Sequence, residues 1–185
     1  MAAFTDCLTE GHAEFIARQK LFFVATAAAD ARINLSPKGY DCFRVLGPNR
    51  VAWLDLGGSG NETQAHLNAD GRITIMFCAF DNPARILRIY GKGLPVHPEE
   101  EGFAELAALF PRLPGVRQVF DIKVESVQTS CGWGVPHMSL ESERPTLVKY
   151  HGQQDSRERL AKIAGRTQSI DGLPVRVQTL IPDWD

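Results

Sequence analysis

The segment Val51-Ala-Trp-Leu-Asp-Leu-Gly-Gly-Ser-Gly-Asn-Glu-Thr-Gln-Ala-His-Leu67 runs from an apolar stretch through a glycine-rich turn into a short polar stretch. The apolar part predicts a strand, and Asn61 with Gln64 three positions later predicts a capping box at the start of a helix. The first backbone N–H groups of a helix are unpaired, and the helix dipole makes that end partly positive. Because phosphate groups bind at such ends, this segment predicts a site for a phosphorylated ligand.

Two common phosphate-binding motifs do not fit the segment. A P-loop requires a Lys directly after its last glycine, and no Lys follows Gly57, Gly58 or Gly60. A dinucleotide fingerprint requires a third glycine where Thr63 stands, inside a βαβ unit that the flanking residues do not form. The identity of the ligand therefore has to come from other parts of the chain.

The composition predicts one globular domain over residues 1–185, with a polar C-terminal extension from about residue 139 that wraps around the domain or swaps between chains. Hydrophobic residues make up 44% of the chain, charged residues 23%, and the net charge is −2. Lys and Arg form no basic block, so nothing indicates nucleic-acid binding. No apolar run reaches the roughly 18 residues that span a membrane, and no secretory signal opens the chain. We therefore expect a cytoplasmic protein with neither nucleic acid nor membrane as a partner.

The cysteines and histidines predict no metal site. The five histidines show neither H-x-x-H nor H-E-x-x-H spacing. The four cysteines contain no C-x-x-C pair, which favours reduced thiols over a disulfide or a zinc site. These cysteines are Cys7, Cys42, Cys78 and Cys131.

Short apolar runs separated by turn residues predict a barrel or sandwich rather than a parallel α/β sheet. In residues 32–38 the alternation puts Ile33 and Leu35 on a buried face and the polar side chains on the other. Pro37 places that strand near a sheet edge or at its own end. Gly91 and Gly93 suggest a bulge or a close approach in the strand over 85–96. The other predicted strands are 21–26, 42–46, 50–56, 72–80, 85–96, 117–128 and 174–181. The predicted helices lie in about the first 20 residues, at 61–70, at 98–109 and partly in 144–164.

Five segments, in order along the chain, resemble the pyridoxamine 5′-phosphate oxidase-related family of FMN-binding proteins. The first is Phe22-Phe-Val-Ala-Thr-Ala-Ala-Ala-Asp-Ala-Arg-Ile-Asn-Leu-Ser-Pro-Lys-Gly39. The resemblance covers roughly residues 10–140, and it implies a mainly β (α+β) split barrel with a few flanking helices. It also implies a homodimer with FMN in the groove between the subunits. The other four segments are 51–63, 72–80, 85–93 and 130–136.

The resemblance implies a set of cofactor-binding residues. In the family, a Lys at the end of the second strand contacts the FMN phosphate, and Lys38 matches it. The preceding strand positions line the flavin ring, and the segment after the fourth strand receives the phosphate. The matching strand positions are Asn34, Leu35, Ser36 and Pro37, and the matching phosphate positions are Ser59, Gly60, Asn61 and Thr63.

Two more residues are candidates for this site. Arg88 shares a strand face with Tyr90 and Lys92, whereas Arg85 lies on the opposite face. Trp133 stands between two glycines, where its ring could stack on a flavin from across the dimer. The alternatives are a solvated strand charge for Arg88 and an ordinary core aromatic residue for Trp133.

The chain also departs from the oxidase pattern. Glu62 and Thr63 stand where the oxidase has an Arg-Lys pair, and Ile33 replaces the Arg of its second-strand motif. The oxidase's C-terminal Arg-Leu-His-Asp-Arg-type segment, which grips pyridoxal substrates, has no counterpart after Cys131. We therefore expect flavin binding but not true pyridoxamine-phosphate oxidase activity.

The predicted function is that of an FMN-dependent oxidoreductase acting on an unidentified small molecule, with NAD(P)H or an organic reductant as its partner. The flavin rather than a side chain carries the chemistry in such proteins, so no catalytic residue is assigned. Two alternatives stay open: a non-catalytic flavin-binding module, and the same fold with a deazaflavin or a haem.

Overall fold

The computed structural model describes residues 2–153, 155–179 and 181 of the chain. Within these residues, eight strands form one antiparallel sheet, and five helices pack around it. The strands are β1 (Ala3–Thr5), β2 (Phe22–Thr26), β3 (Asn34–Lys38), β4 (Phe43–Gly47), β5 (Arg50–Leu56), β6 (Arg72–Cys78), β7 (Arg85–Val96) and β8 (Val116–Cys131). The helices are α1 (Glu10–Arg18), α2 (Glu62–Ala69), α3 (Phe103–Ala107), α4 (Thr146–Gly152) and α5 (Ser156–Ile163).

The sheet forms an open, split barrel. Its strand order is β3-β2-β6-β7-β8-β5-β4, and β1 pairs with the far end of β8. The end strands β3 and β4 do not pair with each other within the described residues, so the barrel is not closed. The predicted fold class is confirmed. Pro37 lies in the edge strand β3, where its lack of a backbone N–H costs no hydrogen bond on the side that has no neighbouring strand.

The core fills the inside of this barrel. Every second residue of β2 is buried, as expected for a strand with one face on the core. Phe22 of β2 packs on Phe77 of β6 with ring centroids 5.5 Å apart, and Trp53 of β5 packs on Phe120 of β8 at 4.3 Å. Phe22 also meets Trp53 with ring centroids 6.3 Å apart, so this aromatic cluster joins the two halves of the sheet.

The bulge predicted in the long strand is confirmed. The pairing of β7 with β8 shifts register between Tyr90 and Gly91. A Cβ atom at Gly91 would lie 2.1 Å from the carbonyl oxygen of Lys123, so only glycine fits at this point. The bulge lets two long strands bend together around the core.

Two predicted elements are wrong. The helix expected over 98–109 shortens to α3, because residues 97–100 form a turn in which the Glu100 carboxylate accepts from the backbone N–H of His97 at 2.9 Å. Gly102, with φ of +85°, then redirects the chain into α3. The strand expected over 174–181 is not formed in residues 174–179 and 181, apart from one isolated bridge between Gln168 and Pro174. Residue 180 lies outside the described residues.

The two faces of β3 are the reverse of the expectation. Leu35 is 66% exposed, and Ile33, which precedes the strand, is 77% exposed. The side chains of Asn34, Ser36 and Lys38 lie on the inner side instead, because their partners in β2 are buried core residues. That prediction followed the rule that the apolar face of an amphipathic strand packs on the core. Here the inner face of an edge strand meets a polar helix start, and the apolar face is left on the outside.

The C-terminal extension wraps back onto its own chain in the part that the structure describes. It forms α4 and α5, which agrees with the partly helical stretch expected over 144–164. The following stretch, residues 165–178, is called the C-terminal segment below. Its Asp171 accepts from the backbone N–H of Arg32 at 2.8 Å and forms an ion pair with that side chain. The extension therefore adds a second layer over the edge where β3 and α2 meet.

The helices of the described residues include none that is both long and apolar enough to cross a membrane. The described part of the chain also holds no group of three or more His, Cys, Asp or Glu side chains placed to bind a metal ion.

Candidate functional site

The glycine-rich turn joins the end of β5 to the start of α2, as the sequence predicted. Gly57 donates its backbone N–H to the carbonyl of Gly115 at 2.8 Å, which fixes where the turn begins. Glu62 and Thr63 open the helix, and the first N–H groups of α2 point back into the turn. The turn therefore presents backbone donors, which is what a phosphate site at this position requires.

The predicted capping box is wrong. Asn61 precedes α2, but its side chain makes no capping hydrogen bond. Its Oδ1 atom instead accepts from Nε2 of Gln118 at 3.0 Å. Gln64 donates to Oε1 of Gln118 at 2.6 Å and accepts from the backbone N–H of Arg176 at 2.5 Å. Both side chains are drawn into a buried amide network with β8 and the C-terminal segment, so neither of them caps the helix.

The inner face of β3 lies against this helix start. Nδ2 of Asn34 donates to Oγ1 of Thr63 at 3.2 Å. The Oγ atom of Ser36 is buried and has no hydrogen-bond partner among the described residues. Nζ of Lys38 lies 4.0 Å from Oδ1 of Asp55. Three of the predicted strand residues therefore share one polar row, and Asn34 joins that row to a predicted phosphate residue.

The carboxylate of Asp55 lies at the centre of the charged side chains in this region, and it was not among the residues predicted from the sequence. Its side chain is only 3% exposed, and its Oδ2 atom lies 2.7 Å from Nη2 of Arg117. Gln118 donates to the same oxygen at 2.9 Å. Burying a carboxylate is costly unless cations and hydrogen bonds compensate it, and Arg117, Gln118 and Lys38 do so here. An acid inside an otherwise apolar strand was the available sequence signal.

The charge of Asp55 also acts on Cys42. The thiol of Cys42 is buried and donates to the carbonyl of Gly39 at 2.9 Å. Burial, followed by the nearby negative charge of Asp55, raises the pKa of this thiol from 9.0 to about 12. Cys42 is therefore a neutral packing residue at physiological pH.

A second buried polar group without full partners lies in α2. His66 shares a hydrogen bond with the hydroxyl of Thr26, with Nδ1 and Oγ1 3.1 Å apart. Its Nε2 atom is buried and has no partner among the described residues. His66 therefore links α2 to β2 through one ring nitrogen only.

Three predicted residues, Leu35, Pro37 and Arg88, lie on the outer face of the sheet, and Trp133 lies in a loop. Cross-strand partners share a face, and the pairing from β3 through β2 and β6 to β7 puts Pro37 and Arg88 in one outer row. Nη1 of Arg88 donates to the hydroxyl of Ser130 at 3.3 Å. Trp133 is 86% exposed in the loop after β8. Within one chain, the structure does not bring the side chains of these four residues together with the inner row, which differs from the predicted site.

Two cavities flank Gly58, which lines both. The strand-end cavity, about 480 Å³, lies between the ends of β3 and β5 and helix α4. The turn cavity, about 500 Å³, lies between the glycine-rich turn and the C-terminal segment. Small-molecule sites occupy roughly 300–1,000 Å³, so each is large enough for a ligand. Lys38, Tyr40, Asp55 and Tyr150 line the first, and Ser59, Gly60, Arg117, Arg166, Arg176 and Gln178 line the second.

An open antiparallel barrel with a polar edge strand against a helix start defines a split-barrel protein. The family model for pyridoxamine 5′-phosphate oxidase matches residues 8–131. A protein of Aspergillus flavus, named pyridoxamine 5′-phosphate oxidase family protein ustO, is 36% identical over an alignment of 194 positions, gaps included, that covers 94% of this chain and 78% of that protein. The chain belongs to the pyridoxamine 5′-phosphate oxidase family.

Solved structures show the same fold at lower identity. A single-substitution variant of HupZ from Group A Streptococcus superposes with a TM-score of 0.54 and 19% identity, over 66% of this chain and 98% of that one. A candidate pyridoxamine 5′-phosphate oxidase of Lactobacillus delbrueckii superposes with a TM-score of 0.54 and 20% identity, over 66% of this chain and 94% of that one. At these identities the superpositions establish the fold and leave the ligand open.

Proposed function

We propose that this protein binds FMN and uses it as an oxidoreductase on a small organic molecule. Family membership supports the flavin, and the inner row of β3 supports its position. The hydroxyl of Ser36 is the observation that carries the proposal. A buried hydroxyl without a partner costs about 1–3 kcal/mol, so its presence on the strand that the resemblance assigns to the flavin favours a missing ligand group.

The residues along β3 and the glycine-rich turn fit FMN. β3 is an edge strand, so one side of its backbone offers unpaired N–H and C=O groups that a flavin ring can pair with. Lys38 supplies a cation next to the turn, and Ser59, Gly60, Asn61 and Thr63 supply backbone N–H groups and hydroxyls for a phosphate. Because Asp55 offsets part of the Lys38 charge, this phosphate site is less positive than one that carries an Arg-Lys pair.

The flavin, when bound, would accept a hydride or electrons from one small molecule and pass them to another. The chain's own residues would hold and orient it. The hydroxyl of Ser36 is a donor that can stabilise negative charge on a reduced ring, while Lys38 holds the phosphate. NAD(P)H or a small organic reductant is the proposed electron source.

A homodimer is part of the proposal. The outer face of the sheet carries Leu35 and Pro37, with the half-buried side chains of Phe23 and Met76 beside them. An apolar outer strand face next to a site is the kind of surface that a second copy covers. A second chain could also bring Arg88 or Trp133 towards the inner row of the first.

The test is flavin binding by the purified protein. We expect added FMN to be retained after gel filtration, with the absorption spectrum of a bound flavin. Lys38→Ala is expected to weaken FMN binding by about 10-fold or more, because it removes a charge-assisted contact to the phosphate. Lys123→Ala, which removes an exposed lysine from the middle of β8, is the matched control and should bind like the wild type.

Failure to take up FMN would rule the proposal out. Mass spectrometry of any co-purified ligand would then distinguish a deazaflavin from a haem. Anaerobic mixing of the loaded protein with NADH or NADPH separates an oxidoreductase from a flavin-binding module: bleaching of the flavin, followed by turnover on adding an acceptor, supports the enzyme. If no reductant bleaches a tightly bound flavin, the binding module is the better interpretation.

A further inference from the structure

The strand-end cavity is closed by helix α4, which follows residues 8–131 that the family model matches. His151 of α4 is 6% exposed, and its Nε2 atom lies 2.7 Å from the carbonyl oxygen of Gly57, which fixes the helix over the end of β5. The hydroxyl of Tyr40 donates to the carbonyl of Arg144 at 2.7 Å and ties the end of β3 to the stretch before α4. The C-terminal extension of this chain therefore completes a cavity of about 480 Å³.

Most of the wall of this cavity is apolar or neutral. Strand β5 contributes Leu54 and Leu56, and α4 contributes Leu147 and the ring of Tyr150. The thiol of Cys42 also lines the cavity, and it keeps its proton because its pKa is raised, mainly by burial, to about 12. Small-molecule sites with such walls hold ligands whose body is apolar and use a few polar groups to orient them.

One carboxylate oxygen on the wall of this cavity lacks a hydrogen bond. Nη2 of Arg117 lies 2.7 Å from Oδ2 of Asp55, and Gln118 donates to the same oxygen at 2.9 Å. The Oδ1 atom of Asp55 accepts no hydrogen bond from the described residues, yet it is not sealed off as the hydroxyl of Ser36 is. Asp55 lines the strand-end cavity and not the turn cavity. A carboxylate that is only 3% exposed requires a donor at this oxygen, and a ligand in the cavity can supply it.

The Nζ atom of Lys38 lies 4.0 Å from Oδ1 of Asp55, which is too far for a direct hydrogen bond. One oxygen atom at about 2.8 Å from each of them would close this gap. A hydroxyl group carries one donor and two acceptor lone pairs, so it can donate to Asp55 and accept from Lys38 at once. An ether, a carboxylate or a phosphate can accept from Lys38 but has no proton to donate to Asp55.

The charges around Oδ1 favour a neutral hydroxyl. Lys38 and Arg117 already balance the carboxylate of Asp55. A ligand anion would lie against that carboxylate, and a ligand cation would lie against the two basic side chains. A phenol is a stronger donor than an aliphatic alcohol because its O–H is more acidic, and its ring can pack on the rings of Tyr40 and Tyr150, which both line the cavity.

We propose that the strand-end cavity binds a neutral phenol whose hydroxyl bridges Oδ1 of Asp55 and Nζ of Lys38, with its ring between β5 and α4. The ammonium group of Lys38 has three donors, so it can hold this hydroxyl and still contact a flavin phosphate. The family resemblance assigns no ligand contact to Asp55 or to α4. The phenol site does not depend on the proposed flavin, because every contact comes from the chain itself.

Three ligands of matched shape test the proposal. The hydroxyl of p-cresol both donates and accepts, 4-methylanisole only accepts, and 4-methylbenzoate is an anion. Their dissociation constants are measured with the full chain at pH 7 by ligand-observed NMR titration, with and without saturating FMN. We expect p-cresol to bind at least about 10-fold more tightly than 4-methylanisole, because the ether leaves Oδ1 of Asp55 without a donor. The same margin is expected over 4-methylbenzoate, because its charge meets that of Asp55.

Two variants locate the site. Asp55→Asn replaces the acceptor with an amide that can donate, so the preference for p-cresol over 4-methylanisole should fall below about 3-fold. Tyr150→Ala removes one aromatic wall at a half-exposed position and should weaken p-cresol binding by about 5-fold. Lys149→Ala, at an exposed position of the same helix that does not line the cavity, is the matched control and should bind p-cresol like the wild type. If Asp55→Asn does not fold, Tyr150→Ala and the ligand series still decide the question.

Equal binding of p-cresol and 4-methylanisole would overturn the inference, because the cavity would then be only an apolar pocket. Tighter binding of 4-methylbenzoate would overturn it too, since Lys38 would then act as an anion site. If FMN abolishes p-cresol binding, or if FMN binds and p-cresol does not, the phenol site is wrong and the flavin proposal stands. Binding of p-cresol by a protein that takes up no FMN supports the phenol site after the flavin proposal has failed.

Discussion

Asp55 organises the polar end of the barrel at the scale of single residues. Arg117 and Gln118 share one carboxylate oxygen, and Lys38 lies 4.0 Å from the other. Removing one partner of a buried ion pair typically costs about 3–5 kcal/mol, because the other charge is left uncompensated. Asp55 therefore fixes Lys38 beside the turn, and it also limits how much positive charge Lys38 can offer a ligand.

Cys42 gives a pH-dependent prediction at the same scale. Its thiol has a pKa of about 12 in the folded chain against 9.0 ordinarily, so the folded state keeps its proton after the unfolded state has lost it. The free energy of unfolding should therefore fall as pH rises above about 9, by at most about 1.4 kcal/mol per pH unit from this group.

Urea unfolding of the wild type and of Cys42→Ser between pH 8 and 10.5 measures this effect. The wild type should lose stability relative to Cys42→Ser as pH rises. Cys131→Ser, which replaces an exposed thiol, should follow the wild type at every pH. Parallel pH curves for wild type and Cys42→Ser would contradict the prediction.

At the scale of elements, the bend of β7 depends on its glycines. Gly91 touches the backbone of Lys123, and a Cβ atom at Gly93 would lie 3.0 Å from Leu67 of α2. The bend therefore brings β7 against both β8 and α2, which keeps the helix start and the turn in position. The sequence indicated this bulge because Gly91 and Gly93 both lie inside one long predicted strand.

Gly91→Ala should lower the free energy of unfolding by about 3 kcal/mol, because backbone atoms of β8 would have to move. Gly47→Ala, which adds a methyl group in β4 where no atom lies within 4 Å, should change it by less than about 1 kcal/mol. Chemical denaturation of both variants measures the difference. Equal stability of the two variants would show that the bulge tolerates a side chain.

At the scale of the whole molecule, the outer face of β3 predicts association. Leu35 is 66% exposed in one chain, so Leu35→Lys should leave the folding of that chain unchanged. It should disrupt the proposed dimer, because it would place a charge in an apolar interface. Light scattering after gel filtration should give twice the chain mass for the wild type and a single chain mass for Leu35→Lys.

Leu109→Lys is the control, because Leu109 is also exposed but follows α3 instead of lying on the outer face of β3. It should remain dimeric. A monomeric wild type would refute the dimer, and a dimeric Leu35→Lys protein would place the interface elsewhere.

Local patterns predicted most of the strands and left a barrel or a sandwich open, and the family resemblance decided for the split barrel. Turn residues and apolar runs marked β2 to β8 within a few residues, and Pro37 marked the edge strand. The capping box failed because Asn61 and Gln64 have tertiary partners in β8 and the C-terminal segment that local sequence rules cannot include. The helix over 98–109 shortened because a turn between His97 and Glu100, followed by Gly102, delays its start. The cofactor residues stay predictions, and the structure shows only which of them lie together.

The sequence by itself determined the strand segments and the glycine-rich turn into α2, since each of these depends on residues that are neighbours along the chain. Its resemblance to a family indicated the split barrel, whose strand pairs join residues far apart in sequence. The tertiary structure decided which face of β3 points inward. It placed Asp55 under Lys38, and it brought Arg166 back to the turn across more than a hundred residues of chain. The charge at the glycine-rich turn therefore depends on long-range packing, because Arg166 comes from the C-terminal segment and not from the helix that the turn begins.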